Sequence, residues 1–245
     1  MIKLEKINKY YKKKQVLYDF STNIDIHGNS IIGLVGSNGS GKTTLIKVIA
    51  GILDYTTGKI SVDNCKVYEE WCKKNIVLIP AGERGLRYKN TVYDNAMYFA
   101  AMKGITSKKV KRLIYEYAEL LNYTDFLSRR VETLSMGEKK KAMLLCGICT
   151  DMKVIIMDEP SNGLDVDARK EIESLIKMLS TKLNKVFLIS SHDMTFLGNI
   201  ADRYIFIFDG RNVAEEENAM VAAEIYNKYT NLKTCSGEYN NESVY

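Results

Sequence analysis

An α/β fold with a parallel central sheet is predicted by three features of the chain. First, an apolar run from Ile31 to Val35 enters a glycine-rich turn, and a helix-forming segment follows and stops near Gly51. Second, two more apolar runs, "VIIMDEP" from Val154 and "VFLIS" from Val186 to Ser190, lack the alternation of a half-exposed strand. Uniformly apolar short runs suit strands covered on both faces. Third, "VDARKEIESLIKMLSTKL" between them places Ala168, Ile172, Leu175, Ile176, Leu179 and Leu183 on one helical stripe. Strand, helix and strand in that order imply a parallel crossover.

The remaining elements follow in order. "TVYDNAMYFAAMKG" opens with Thr91, and Asp94 stands three residues on, the spacing of a capping box. "SKKVKRLIYEYAELL" carries Val110, Leu113, Ile114, Tyr117 and Leu121 at helical spacing. "AMLLCGICT" is apolar all round and reads as a buried helix, so Cys146 and Cys149 pack rather than bind metal. Residues 91–150 therefore form an all-helical subdomain inserted into an α/β core made of residues 1–90 and 151–215. "YIFIFDGRNVAEE" reads as two short strands around an Asp209-Gly210 turn. Residues 216–245 form a C-terminal extension, and beyond about Asn227 its polar composition predicts a loosely held tail.

Composition narrows the function classes. The chain has 245 residues, 46% of them hydrophobic, enough for a large core. A formal net charge of +5, from 35 basic and 30 acidic residues spread along the chain, is too mild to imply nucleic acid. No apolar run is long enough to span a bilayer, and the start "MIKLEKINKYYKKK" lacks the apolar core of a signal peptide. Five irregularly spaced cysteines fit reduced thiols. A cytoplasmic protein is the expectation.

The chemistry concentrates at three strand ends. "GSNGSGKT", residues 36–43, matches the phosphate-binding pattern G-x-x-x-x-G-K-[ST] in full. Its glycines Gly36, Gly39 and Gly41 permit a tight turn, so that backbone N–H groups of the loop, including Ser37, Asn38 and Ser40, converge on an anion. The following helix adds its positive N-terminal end. Lys42 can reach the β- and γ-phosphates, and the Thr43 hydroxyl can ligate Mg²⁺. Asp158, ending the second apolar run, suits the Mg²⁺ shell, while its neighbour Glu159 suits the attacking water. "SSHD" ends the third run, which brings His192 to the same ligand edge of a parallel sheet as a γ-phosphate contact. His27 has no such context and reads as structural.

These pieces, in this order, resemble the nucleotide-binding subunit of an ABC transporter over about residues 1–215. "GSNGSGKTT", ending in Thr44, resembles the family's Walker A loop, and "VIIMDEP" its Walker B strand with Glu159 as catalytic glutamate. "NGLD" is similar to the D-loop, closed by Asp165, and "SSHD" to the histidine switch. "INKYYKKKQVL" is similar to the adenine-stacking segment, with Tyr11 the better match and Tyr10 beside it. "LSMGE" resembles the LSGGQ signature, with Ser135 and Gly137 kept and Met136 and Glu138 departing from it. Lys139, Lys140 and Lys141 then form an exposed first helical turn.

The resemblance implies a P-loop NTPase core with an N-terminal antiparallel β element, ATP and Mg²⁺ as ligands, and ATP hydrolysis by Glu159 and His192. It implies a head-to-tail dimer, permitted to be a homodimer, in which Ser135 and Gly137 meet the nucleotide of the opposite subunit. It also implies a polytopic membrane subunit on a separate chain and a place on the cytoplasmic face of the cell membrane. The segment "GERGLRY" is similar to some exporter-type members. One departure is larger: the family's Mg²⁺-ligating glutamine is replaced near Ala81 and Gly82, with Glu83 the nearby candidate substitute. A single-cassette ATPase without a membrane partner, as in iron–sulfur assembly, and a nucleotide-gated binding module with little hydrolysis are the competing expectations.

Overall fold

The computed structural model describes residues 1–63, 65, 67–82 and 85–239, the last five of them as backbone only. Two sheets organise the chain. A six-stranded sheet runs β5 (Ile76–Ile79), β6 (Val154–Asp158), β7 (Val186–Ser191), β3 (Ser30–Val35), β8 (Arg203–Phe208) and β9 (Arg211–Glu216). All neighbours are parallel except the antiparallel pair β8–β9. A three-stranded antiparallel sheet has β1 (Ile2–Tyr11) between β2 (Lys14–Ile24) and β4 (Thr57–Val62).

The central strands are apolar throughout because each alternates between two cores. Ile32, Leu34, Val154, Ile156, Val186 and Leu188 pack toward the antiparallel sheet and helix α1 (Lys42–Ile49). Ile31, Val35, Ile155, Met157, Phe187 and Ile189 pack on the opposite face, with the helices. With both faces buried, period-two alternation of polarity has nothing to report.

Helix α2 (Tyr68–Asn75) leads into β5, and helices α3 (Val92–Met102), α4 (Ser107–Leu120) and α5 (Met136–Ile148) lie between β5 and β6. Thr91 caps α3 in the reciprocal arrangement with Asp94 that its spacing predicts. Helix α6 (Val166–Leu183) buries Ile172, Ile176 and Leu179 from its predicted stripe. Asp209 and Gly210 both take positive φ, 43° and 73°, as a two-residue hairpin turn needs. Cys146 and Cys149 are buried in and at the end of α5, and burial pushes both thiols well above their ordinary range.

Two expectations are corrected. The chain beyond Asn227 is no loose tail within the described residues: it belongs to helix α8 (Ala222–Tyr239). Ile225 and Tyr229, four apart, are buried, and Leu232 is packed against the same core. Three anchors on one face outweigh a polar composition. The lysines 139–141 are not an exposed turn either. Lys140 is 6% exposed. Lys141 pairs with Glu171 at 2.9 Å and lies over the Tyr123 and Phe126 rings, and Lys139 lies over Tyr88. Their alkyl stems cover aromatic surface while the ammonium groups find partners.

Candidate active site

The glycine-rich loop joins the end of β3 to the start of α1. Gly36 is fixed by crowding: a side-chain carbon there would lie 2.6 Å from both the Ile207 carbonyl and the Ser40 hydroxyl. Gly41, at φ 104°, caps α1 in a conformation that disfavours any side chain. Ser37, Asn38 and Gly39 form the exposed tip, and Ser40 lies buried beneath them. Lys42, Thr43 and Thr44 make the first turn of α1, which carries no acidic residue. The loop therefore presents helix-terminal amides and a cation with no counter-charge of its own, the setting for an anion.

Strand register brings distant residues to this loop. Asp158 lies beside Ser190, and Val35, the residue before the loop, beside Ser191. All stand at the carboxyl edge of the sheet, where ligands of open α/β sheets bind. The Thr43 hydroxyl donates to Asp158 Oδ2 at 2.9 Å, and the Ser190 hydroxyl donates to Asp158 Oδ1. Lys42 Nζ donates to the carbonyls of Gly36 at 2.7 Å and Ser37 at 3.1 Å, and lies 3.3 Å from Glu159 Oε1. His192 Nδ1 lies 2.8 Å from Glu159 Oε2. The same oxygen accepts the His192 backbone N–H at 3.3 Å and the Ser191 hydroxyl at 3.4 Å.

The two adjacent carboxylates are thus separated by their partners. Asp158 takes hydroxyls alone, whereas Glu159 takes an ammonium and an imidazole besides the Ser191 hydroxyl. Glu159 itself has φ 48°, a left-handed conformation that costs a non-glycine residue about 1 kcal/mol or more. Its backbone N–H donates to the Ser190 carbonyl at 2.9 Å, which fixes the turn.

These groups fit a nucleotide with Mg²⁺. The Ser40 hydroxyl is buried beneath the loop with no hydrogen-bond partner. Thr43 and Asp158 supply two adjoining hard oxygens, and the described residues contain no cluster of three or more metal-ligating side chains. A short protein ligand set suits Mg²⁺, which keeps waters and takes substrate oxygens.

The other predicted residues lie on two further surfaces. Ser135, Gly137 and Asp165 line a separate depression of about 500 Å³ together with Met136, Glu138 and Gly163. Asp165 caps α6 by accepting the Ala168 N–H at 2.8 Å. Ser135 caps α5: its hydroxyl accepts the Glu138 N–H at 3.3 Å, while its own N–H donates to Glu138 Oε2 at 2.6 Å. Burial works to raise the Glu138 carboxyl, but the Ser135 hydrogen bonds, Arg129 and Lys141 outweigh it and hold it below its usual range. Gly163 takes φ 77°, a conformation that disfavours a side chain, and packs against the exposed Met136 side chain. Tyr10 and Tyr11 are exposed at the tip of the β1–β2 hairpin, with Lys9 5.4 Å from the Tyr11 ring. That hairpin reaches the loop through Val16, whose carbonyl crowds both Gly41 and Gly210. Ala81 and Gly82 follow β5; Glu83, the candidate substitute for a metal-ligating glutamine, lies outside the described residues.

Two contacts had no sequence reading. Ser190 stands within the quoted "SSHD", yet only the histidine invites attention there. Tyr229 reaches the loop from α8 and accepts the Ser37 N–H at 3.0 Å. No local pattern foretells a contact between residues 192 positions apart.

Known proteins resemble this chain in sequence and in fold. Residues 21–162 match the family model described as ABC transporter. The chain is 30% identical over 201 residues to the ABC transporter ATP-binding protein NatA of Bacillus subtilis, covering 81% of each chain. It is also 30% identical over 219 residues to a putative ABC transporter ATP-binding protein of Clostridium tetani, covering 88% of this chain and only 49%, about half, of that relative's length. A dimeric ATP-binding cassette in a post-hydrolysis state bound to ADP and Pi has the same fold, with a TM-score of 0.76 at 21% identity over 89% of this chain and 98% of that one. A phosphate-binding loop, two carboxylates and a histidine at one sheet edge, on a cassette fold matched over most of its length, place this chain in the ABC transporter family, among its ATP-binding subunits.

Proposed function

We propose that the chain hydrolyses ATP to ADP and phosphate and uses ATP-driven dimerisation to power a separate membrane subunit. The observation that carries the reading is the convergence of Lys42, Asp158, Glu159 and His192 on the N-terminal end of α1. Lys42 and the loop amides beyond Ser37, whose own N–H is taken by Tyr229, bind the triphosphate, which competes with Glu159 for the Lys42 ammonium. Thr43 and Asp158 hold Mg²⁺, which neutralises charge on the phosphate oxygens when bound. Glu159, relieved of Lys42, orients water and accepts its proton on the carboxylate. His192 keeps that carboxylate in place and contacts the transferred phosphate. Tyr11 stacks on the adenine.

The depression formed by Ser135, Gly137 and Asp165 serves the nucleotide of a second copy. A relative of the same fold is a dimer bound to ADP and Pi. ATP favours the closed pair because it touches both subunits, and its cleavage removes that preference. On this reading the membrane path belongs to another chain, on whose cytoplasmic side this one docks. Export is the direction we propose, on the likeness of "GERGLRY" to exporter-type members.

Glu159→Gln tests the reading. It should form dimers with ATP by light scattering and lower steady-state phosphate release by about 10²-fold or more. A variant that stays monomeric with ATP, while wild type hydrolyses it, would overturn the dimer.

A further inference from the structure

The C-terminal helix reaches the phosphate-binding loop through a polar contact. Tyr229 of α8 is 9% exposed, its ring belongs to the helical-side core, and its hydroxyl accepts the Ser37 N–H at 3.0 Å. By contrast, neighbouring Asn38 and Gly39 make no hydrogen bond with the protein among the described residues. The helix thus fixes the Ser37 amide at one side of the tip and leaves those of Asn38 and Gly39 open.

The position of α8 is itself tightly set. Helix α7 (Met194–Ile200) begins two residues after His192, and its Gly198 lies so close to α8 that an added side-chain carbon would sit 2.8 Å from the Ala222 nitrogen. Ile225 is fully buried. The Tyr204 hydroxyl meets the Met220 carbonyl at 3.1 Å, just before the helix, and Lys228 pairs with Glu216 of β9. Helix α8 therefore bridges the helix that follows the histidine switch and the loop that would hold the phosphates.

We propose that Tyr229 is a positioning residue for the nucleotide site: docked α8 holds Ser37 and thereby preorganises the loop. The inference rests on the nucleotide-binding reading above. Its thermodynamic consequence is reciprocal. If a docked α8 favours nucleotide binding, nucleotide must favour a docked α8 by the same factor. A tyrosine that only fills the core creates no such coupling.

The test uses the full chain with ADP and with a non-hydrolysable ATP analogue in the presence of Mg²⁺. Tyr229→Phe keeps the ring and removes the acceptor. It should raise the Kd by calorimetry about threefold to fivefold, the scale of one neutral hydrogen bond, and leave the thermal midpoint without nucleotide nearly unchanged. In wild type, nucleotide should slow backbone hydrogen exchange in α8, and Tyr229→Phe should lose that protection. Tyr226→Phe, on the exposed face of the same helix, should match wild type in both measurements. Equal Kd values and equal α8 protection in wild type and Tyr229→Phe would overturn the proposal. Absence of nucleotide binding by wild type itself would instead overturn the reading on which it rests.

Discussion

Glu138 shows how one departure from a family pattern can be absorbed by the fold. The acid sits at the third position of α5 and closes a capping box with Ser135, with Arg129 3.4 Å away. A glutamine could close the same box but would forgo the charge at the helix N-terminus and the Arg129 pair. Glu138→Gln should therefore destabilise the protein by only about 0.5 kcal/mol near neutral pH, because the group is partly solvated. The sign with pH is fixed by the direction of the shift. A carboxyl held below its ordinary value in the folded state contributes stability fully above the unfolded value of 4.5 and loses it as pH falls through the folded value. The stability gap between wild type and Glu138→Gln should close between pH 7 and acid, as followed by urea denaturation. A gap independent of pH would assign the effect to packing.

At the scale of elements, polar anchors decide what apolar periodicity leaves open. Asn95 lies in the first turn of α3 and is fully buried. Its amide oxygen accepts the Arg87 N–H at 2.8 Å, and its nitrogen donates to the carbonyls of Arg87 at 3.1 Å and Thr91 at 2.8 Å. It staples the segment after β5 to the helical subdomain. Asn95→Ala should cost about 2 kcal/mol, since it strands buried backbone groups as well as losing hydrogen bonds. Denaturant unfolding measures that loss, and a change below a few tenths would mean that water takes its place. Helix α8 makes the same point in reverse. Its composition is polar, and burial of Ile225 and Tyr229 is nevertheless enough to dock it.

At the scale of the whole molecule, the proposed function divides the site between two separate surfaces of the chain. One is the loop with Asp158, Glu159 and His192; the other is the depression holding Ser135, Gly137 and Asp165. A head-to-tail pair of identical chains would complete both. Introducing bulk and positive charge by Ser135→Arg should leave ATP binding by the monomer intact and prevent closure. In the Glu159→Gln background, light scattering with ATP should then report monomer only. Dimerisation of that double variant would show that the Ser135 surface lies outside the interface.

The sequence by itself determined the α/β class, the phosphate loop, the paired carboxylates and the hairpin at Asp209-Gly210. Each is a local signal: a fixed spacing, a continuous apolar run, or a turn residue whose backbone freedom is required. Tertiary structure alone decided which strand ends adjoin, and hence that Thr43 and Ser190 share Asp158 while Lys42 and His192 share Glu159. It also decided that Lys139 and Lys141 cover aromatic rings while Lys140 is buried, and that Tyr229 grips the loop from the far end of the chain. Those outcomes depend on contacts between residues far apart in sequence, and a side chain's own type and spacing carry no record of the partner that packing will bring to it.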